Sequence, residues 1–375
     1  MKLSCLQENL NKGLSIVSRA VATRTSLPVT QNILLATDDS RLRLTATNLE
    51  MAITCWIGAK IDKEGAITVP ARYLTEFVAS LTNETVNLSL SERVLHLKCG
   101  RSEARFSGIP AEDFPPVPKI GDGTNTKISV EAIREAIRHV TFAAATEESR
   151  PVLTGVHCDF DGDKLKLAAA DGFRLAAYTA SLLSPVPART SVIVPARSLN
   201  ELARFLTDDE EAVVISINQQ KSQVLFRLKN VELVSQLLQG AFPNYAQLIP
   251  QGYSTRALVD VTEFLRLIKM SAIFARDSSG IVRLVISPGT ETKPGKMTIS
   301  ARAEAIGDNT SEMDALVNGD PAKIAFNFKY LTDVLSVLSQ SQVSLEITTS
   351  SSPGVVRPVG TENYVHVVMP MFVQW

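Results

Sequence analysis

The sequence is short of the residues that most binding and catalytic chemistries need. Four histidines (His96, His139, His157, His366) are scattered over 375 residues, and no His-Glu-x-x-His pair is present. A common catalytic zinc pattern is thereby absent. The four cysteines, Cys5, Cys55, Cys99 and Cys158, lie about 40 to 60 residues apart, too far for a zinc knuckle. They read as reduced thiols of a cytoplasmic protein. No Gly-rich loop ends in Lys-Ser or Lys-Thr, and no Gly-x-Ser-x-Gly occurs, so neither a phosphate cradle nor a nucleophile elbow is expected. No apolar run approaches the roughly 18 residues that span a bilayer. Met1-Lys2-Leu3-Ser4-Cys5-Leu6-Gln7-Glu8 meets an acidic residue before any apolar core forms, which argues against a secretory signal. Charge of one sign is lacking too: 38 Lys and Arg face 39 Asp and Glu. A surface that grips nucleic acid all over is therefore excluded, whereas basic residues confined to one face are not.

What is present is repetition. Val69-Pro70-Ala71-Arg72-Tyr73-Leu74 recurs as Val194-Pro195-Ala196-Arg197-Ser198-Leu199, and more loosely as Phe326-Asn327-Phe328-Lys329-Tyr330-Leu331. Upstream of each copy stands an alternating stretch: Arg41-Leu42-Arg43-Leu44, Lys164-Leu165-Lys166-Leu167 and Lys296-Met297-Thr298-Ile299. Alternation with a period of two predicts strands with one buried face. Each unit opens on an apolar stripe of helical spacing: Leu10, Leu14, Val17, Val21; then Ile133, Ile137, Val140, Ala144; then Phe264, Ile268, Ala272. A second stripe follows each Pro-Ala-Arg-like copy: Leu74, Phe77, Val78, Leu81; Leu199, Leu202, Phe205, Leu206; Leu331, Val334, Leu335, Leu338. These stripes read as core packing.

A period of about 125 to 132 residues is too long for a solenoid and fits three copies of one domain. Strand runs interrupted by only two helices per copy predict an α+β layer structure with antiparallel sheets. Proline and glycine clusters around residues 115–123 and 250–252 divide the chain into 1–119, 120–252 and 253–375.

Two segments invite a chemical reading. Asp159, Asp161 and Asp163 around Gly162 resemble the start of a calcium loop, but its twelfth position is Ala170 where a bidentate Glu belongs. A hairpin turn is expected instead. Asp171-Gly172 has no second acid, base or metal cluster near it in sequence and reads as a turn. Neither a catalytic residue nor a metal or other cofactor is expected.

Ala170-Asp171-Gly172-Phe173-Arg174-Leu175-Ala176 resembles a signature of the bacterial DNA polymerase III β subunit family, the sliding clamps. Leu27-Pro28 after Arg24, the two Val-Pro-Ala-Arg copies, Phe242-Pro243-Asn244-Tyr245 and Val368-Met369-Pro370-Met371 agree with it, in order and from end to end. The resemblance implies three repeated DNA-clamp domains, each with two helices packed on antiparallel sheets, and a head-to-tail dimeric ring. It implies a non-catalytic processivity factor that encircles duplex DNA. The partners implied are double-stranded DNA, the DNA polymerase III alpha subunit, the clamp loader, and other polymerases and repair proteins with clamp-binding peptides.

By that resemblance Arg24, Arg72 and Arg197 are DNA-facing; the polar faces of the expected helices add Lys12, Arg138, Arg266 and Lys269 as candidates, with Glu135, Glu201 and Glu263 diluting the charge. A partner-peptide groove would use Leu153, Gly172, Phe173, Arg174, Leu175, Pro243, Leu248, Val367, Met369, Pro370 and Met371. Phe106, Ile273 and Phe274 would sit at the chain-to-chain contact. The sequence departs from the family at Phe173, where a His is common, at Ala246-Gln247, where a basic residue is common, and in the tail Phe372-Val373-Gln374-Trp375. These departures predict a more apolar groove rim. Two rival classes remain at this level: an enzyme with its site in an interdomain cleft, and a peptide-binding scaffold that does not touch nucleic acid.

Overall fold

The expected strands form where charged and apolar residues alternate. In Arg41–Thr47, Lys164–Ala170 and Lys296–Ala303 the apolar positions Leu42, Leu44, Leu165, Leu167, Met297 and Ile299 are all buried. The computed structural model describes all residues except 119, 122, 148, 209, 210, 277 and 278. The expected first boundary, at residue 119, lies outside the described residues. The chain forms two compact units. The first comprises Met1–Val130, Leu182–Pro187 and Arg197–Leu237; the second comprises Glu131–Ser181, Ala188–Ala196 and Leu238–Trp375.

Six helices are described: α1 (Gln7–Val17), α2 (Ala71–Ala79), α3 (Val130–Val140), α4 (Ala196–Ala203), α5 (Val261–Ala275) and α6 (Phe328–Val337). Most residues of their apolar stripes are buried, with Val21, Phe77, Leu81, Ala272 and Leu338 half-buried, and most of the helices end a turn earlier than the spacing suggests. Val21 and Ala144 lie beyond short 3-10 turns, Ser18–Ala20 and Thr141–Ala143, that tighten the ends of α1 and α3. Leu81, Phe205, Leu206 and Leu338 likewise fall outside their helices. A residue just past a helix end can still face the core, so periodicity alone overshoots. Asp260 caps α5 by accepting from the Glu263 N–H, and Asn327 caps α6 by accepting from that of Lys329.

The first unit contains a five-stranded and an eight-stranded antiparallel sheet. The five-stranded sheet runs Lys60–Lys63, Lys2–Leu6, Thr85–Ser91, Val94–Cys99, Ser102–Ser107. In the eight-stranded sheet, Met51–Gly58 of the first repeat pairs with Val231–Gln236 of the second, in the register Leu233 to Ile53. The second unit contains a nine-stranded and a four-stranded sheet. In the nine-stranded sheet, Arg174–Ser181 of the second repeat pairs with Tyr364–Val368 of the third, in the register Ala176 to His366. The ladders of the three repeats superimpose residue for residue: Leu44 opposite Cys55, Leu167 opposite Tyr178, Ile299 opposite Ser311. The two inter-repeat pairings are therefore the same joint made twice. The strands that would make it a third time, Ser102–Ser107 and Gly307–Asp314, are sheet edges.

The Asp159–Asp163 segment is the hairpin turn expected, with Asp161 opposite Lys164 and Gly162 in the left-handed region at φ +56°. Asp159 holds the Arg189 guanidinium at 2.7 and 3.0 Å, and that partner keeps its carboxyl below the usual range. All four cysteines are buried, and burial pushes the thiols of Cys5 and Cys158 up to about 12 and that of Cys55 up to about 11. Such thiols are poor nucleophiles at neutral pH. No described helix is long and apolar enough to cross a membrane.

Candidate functional site

At the second joint, Ala170-Asp171-Gly172-Phe173-Arg174 turns the chain between two strands. The Asp171 carboxylate accepts from the backbone N–H groups of Phe173 and Arg174 at 2.9 and 3.0 Å, which closes an Asx turn. Gly172 takes φ +94°, where a side chain strains the backbone. The turn pushes Phe173 into solvent, 61% exposed, and sends Arg174 inward. The guanidinium of Arg174 is almost fully enclosed. It donates to Asp171 at 3.0 Å, to Asp333 on α6 at 2.5 Å and to the Phe142 carbonyl at 2.6 Å. Its flat faces lie over Tyr330 at 4.7 Å and Phe142 at 5.4 Å. A planar cation with its donors used in this way positions neighbours and has little left for a ligand.

Behind the turn, Leu175 and Val367 belong to a buried cluster with Ala168, Ala170 and Val355. Phe242, Tyr245 and Ile249 pack over that cluster from the segment that also carries Pro243 and Leu248. Pro243 and Leu248 themselves face solvent, and Leu153 is buried nearby in sequence to the exposed Arg150. Met369 is 43% exposed and donates its N–H to the Phe173 carbonyl at 2.8 Å. Met371 donates its N–H to the Ala325 carbonyl at 2.8 Å, so the segment after Val368 runs beside the edge strand Ala322–Asn327. Phe173 stacks on Tyr330 with ring planes 18° apart. The second unit thus presents an apolar surface with buried Leu175 and Val367 beneath it, and exposed Phe173, Leu248 and Met369 around it. Flexible thioethers and flat rings suit side chains of varied shape.

Beneath the same joint lie groups that the sequence did not announce. His366 is fully buried, with neither ring nitrogen hydrogen-bonded, beside the Phe142 ring at 5.5 Å. Burial, reinforced by Arg174, pushes its imidazole down to about 3. His139 stacks on Tyr178 and meets Tyr364 edge-on, and burial lowers its value too.

The seven basic candidates are all exposed. Lys12, Arg24, Arg72 and Arg197 belong to the first unit; Arg138, Arg266 and Lys269 belong to the second. Lys12, Arg138, Arg266 and Lys269 stand on α1, α3 and α5, and Arg72 and Arg197 are each the second residue of their helix. Arg72 pairs with Glu76 at 2.9 Å, Arg138 with Glu135 at 3.5 Å and Arg266 with Glu263 at 3.5 Å. Arg138 also donates to the Val337 carbonyl. Glu201 turns elsewhere, to Arg19 at 3.4 Å and Arg204 at 3.6 Å, and does not neutralise Arg197. Exposed ion pairs are worth about 0–1 kcal/mol each, so a phosphate can displace them at small cost.

Of the candidate contact residues, none is fully buried. Ile273 is 54% exposed, Phe274 is half-buried, and half-buried Phe106 meets Phe77 edge-on at 5.9 Å. Phe106 lies on the edge strand Ser102–Ser107, and Phe274 borders Gly307, the first residue of the edge strand Gly307–Asp314.

Family models of the DNA polymerase III beta subunit match the N-terminal domain over residues 1–118, the central domain over 127–244 and the C-terminal domain over 246–372. The chain belongs to the DNA polymerase III beta subunit family. The chain is 33% identical over 375 residues to the "Beta sliding clamp" of Synechococcus elongatus, covering 99% of each. It is 30% identical over 382 residues to that of Bacillus subtilis, again covering 99% of each. Among solved structures, the DNA polymerase sliding clamp of Bacillus subtilis matches with a TM-score of 0.93 at 29% identity. The DNA polymerase III subunit beta of Pseudomonas aeruginosa matches with a TM-score of 0.91 at 31% identity. Both structural matches cover 100% of each chain.

For this beta subunit chain, the geometry adds Phe142, Tyr330, Asp333, Phe242, Tyr245 and Ile249 to the eleven expected groove residues. Tyr330 and Asp333 lie on α6 between its core positions, and only the fold brings them to Arg174. The loose third copy of the Pro-Ala-Arg motif contains Tyr330 and was the one available signal for it.

Proposed function

We propose that two copies of this chain close head to tail into a ring around duplex DNA and tether a polymerase through the groove of the second unit. The observation that carries the reading is the repeated joint. Two joints are made within the chain, and the two strands that would make a third are left as edges. An unpaired edge is normally protected or used. If the edges of two copies pair as the internal joints do, both edges of each copy are used and the assembly closes. If the contact between copies repeats the internal registers, Glu103 of one copy lies opposite Thr310 of its partner, and Phe106 opposite Gly307, next to Phe274. Phe106, Ile273 and Phe274 then become the apolar part of that contact.

In the ring, Arg24, Arg72, Arg197, Lys12, Arg138, Arg266 and Lys269 contact phosphates without reading bases, which permits sliding. Retention comes from closure of the ring. The division into domains 1–119, 120–252 and 253–375 follows the repeat. Peptides from the polymerase alpha subunit, the clamp loader and repair proteins dock on Leu175 and Val367 between Phe173, Leu248 and Met369. No residue is assigned a catalytic role, and the site of action is the cytoplasmic chromosome.

Loading onto a circular plasmid and onto the same plasmid linearised, at matched salt, tests the reading. Retention on the circle and loss from the linear form is the expected result; equal retention on both refutes topological tethering. The variant Glu103→Cys/Thr310→Cys, oxidised, is expected to run as a covalent closed dimer. A ladder of longer oligomers would show a joint that does not close.

A further inference from the structure

The first joint carries the same built turn as the second. Asn48 takes the place of Asp171, and its side-chain oxygen accepts from the N–H groups of Glu50 and Met51 at 3.1 and 2.8 Å. Leu49 takes the place of Gly172 and shares its left-handed backbone, at φ +75°. Gln236 donates its N–H to the Glu50 carbonyl at 2.8 Å, as Met369 does to that of Phe173. Val234 stands for Val367, Leu225 for Val355 and Ala52 for Leu175, by ladder register. Phe114-Pro115-Pro116-Val117 stands for Phe242-Pro243-Asn244-Tyr245, and Val117 packs on the buried cluster of Ile120, Leu225 and Val234 as Tyr245 packs on its counterpart. Between these elements the first unit contains an open cleft of about 270 Å³, lined by Leu49, Met51, Ala52, Pro115, Val117 and Val234, with Glu50 at its side.

We propose that this cleft is a second peptide-binding site, which takes an extended segment carrying an apolar anchor next to a lysine or arginine. The ligand class rests on the reading of the second joint as a peptide groove; the cleft, the turn and the charge are the first joint's own. Glu50 occupies the place of exposed Phe173 and is the one charged side chain among the described lining residues. Its carboxylate therefore selects a cation, whereas the second joint offers an aromatic ring at that point. Leu49 is 54% exposed on a left-handed backbone conformation that is unfavourable for a leucine. Its side chain gains little burial from the chain itself, and an occupant of the cleft would cover it.

The test uses full-length protein labelled at methionine methyls and two synthetic probes, acetyl-Ala-Lys-Leu-Ala-Phe-amide and its aspartate counterpart, titrated by NMR. Met51 reports the first joint, and Met369 and Met371 report the second. The lysine peptide is expected to shift Met51 more than the aspartate peptide does, and Glu50→Lys to weaken that response about two- to fivefold, the range of an exposed ion pair. The Met369 response should be unchanged in that variant. Met51 standing still while Met369 shifts overturns the second site and leaves the groove reading intact. Met51 shifting alone supports the second site and removes the groove reading. No shift at either joint overturns both. Equal shifts of Met51 by the two peptides overturn the charge selection.

Discussion

The two joints share one backbone and differ in what crosses it. At the second, Arg174 leaves the strand and reaches Asp333 on α6. At the first, Met51 occupies that strand position, and the cation comes instead from Arg19, the counterpart of Phe142, reaching Glu201, the counterpart of Asp333. Each joint therefore ties a repeat to the next by an arginine-carboxylate pair whose arginine comes from the earlier repeat, from a strand at the second joint and from the 3-10 turn after α1 at the first. Around the pair, the first joint is aliphatic, with Leu233, Val231 and Cys55 where the second has His366, Tyr364 and Tyr178. The joint read as the groove carries buried His366 and Tyr364 with half-buried Tyr178, whereas the buried polar groups of the first are small hydroxyls such as Ser235 and Thr54. Aromatic rings and a guanidinium with three hydrogen bonds surround Phe173 and Tyr330 on the surface read as the groove, at the cost of a buried imidazole without partners. The plainer joint needs none of these to hold two strands together.

The largest effect should come from making the second joint resemble the first at its cation. Arg174→Met leaves Asp171 and Asp333 facing each other's neighbourhood without a countercharge. Stranding partly buried carboxylates of this kind costs about 3 kcal/mol, allowing for their residual exposure. Chemical denaturation should show that loss in the second unit. The triple variant Phe142→Arg/Asp171→Asn/Arg174→Met, which copies the first joint's set, should recover at least half of it. No recovery would mean that the two joints are not interchangeable devices.

The legible part of this fold was the part that repeats. The strands at Leu42, Leu165 and Met297 and the helix cores at Leu10, Ile133 and Phe264 follow from local periodicity, and three copies fixed their order. The Asp171-Gly172 turn was legible because its chemistry is local. The Arg174 cage was not: Phe142, Tyr330 and Asp333 are 32 to 159 residues away in sequence and meet only through sheet pairing. His366 was equally hidden, since an alternating strand looks the same whether its inward residue is aliphatic or imidazole. The likeness between the two joints needed the ladder registers, because Asn48-Leu49-Glu50-Met51 shares no residue with Asp171-Gly172-Phe173-Arg174.

A smaller effect tests the buried imidazole, for which the first joint offers Leu233. The folded value of His366 lies near 3, below its ordinary 6.5. On acidification the unfolded chain takes the proton first, so the stability tied to this group is intact above about pH 6.5 and lost progressively as the pH falls toward about 3. The slope is roughly 1.4 kcal/mol per pH unit for one proton. His366→Leu should therefore flatten the stability profile of the second unit between pH 6.5 and 4. At pH 7 it should be neutral or slightly stabilising, because two unsatisfied ring nitrogens are removed. Parallel profiles for the two proteins would assign the acid sensitivity to other groups.

The smallest effect exchanges the turn residues. Gly172 has room for a side chain, since a Cβ there would meet only the Arg150 guanidinium at 3.7 Å. The cost of Gly172→Leu is therefore that of the left-handed backbone, about 1 kcal/mol. Leu49→Gly relieves the same conformation at the first joint but adds freedom to the unfolded chain, so the two terms nearly offset. The expected pair of results is a loss of about 1 kcal/mol at the second joint and a change within ~0.5 kcal/mol at the first, by equilibrium denaturation. If Leu49→Gly costs more than its counterpart, the exposed leucine contributes packing that its position does not reveal. In that event the first cleft is held closed by its own side chain, and its likeness to the groove ends at the backbone.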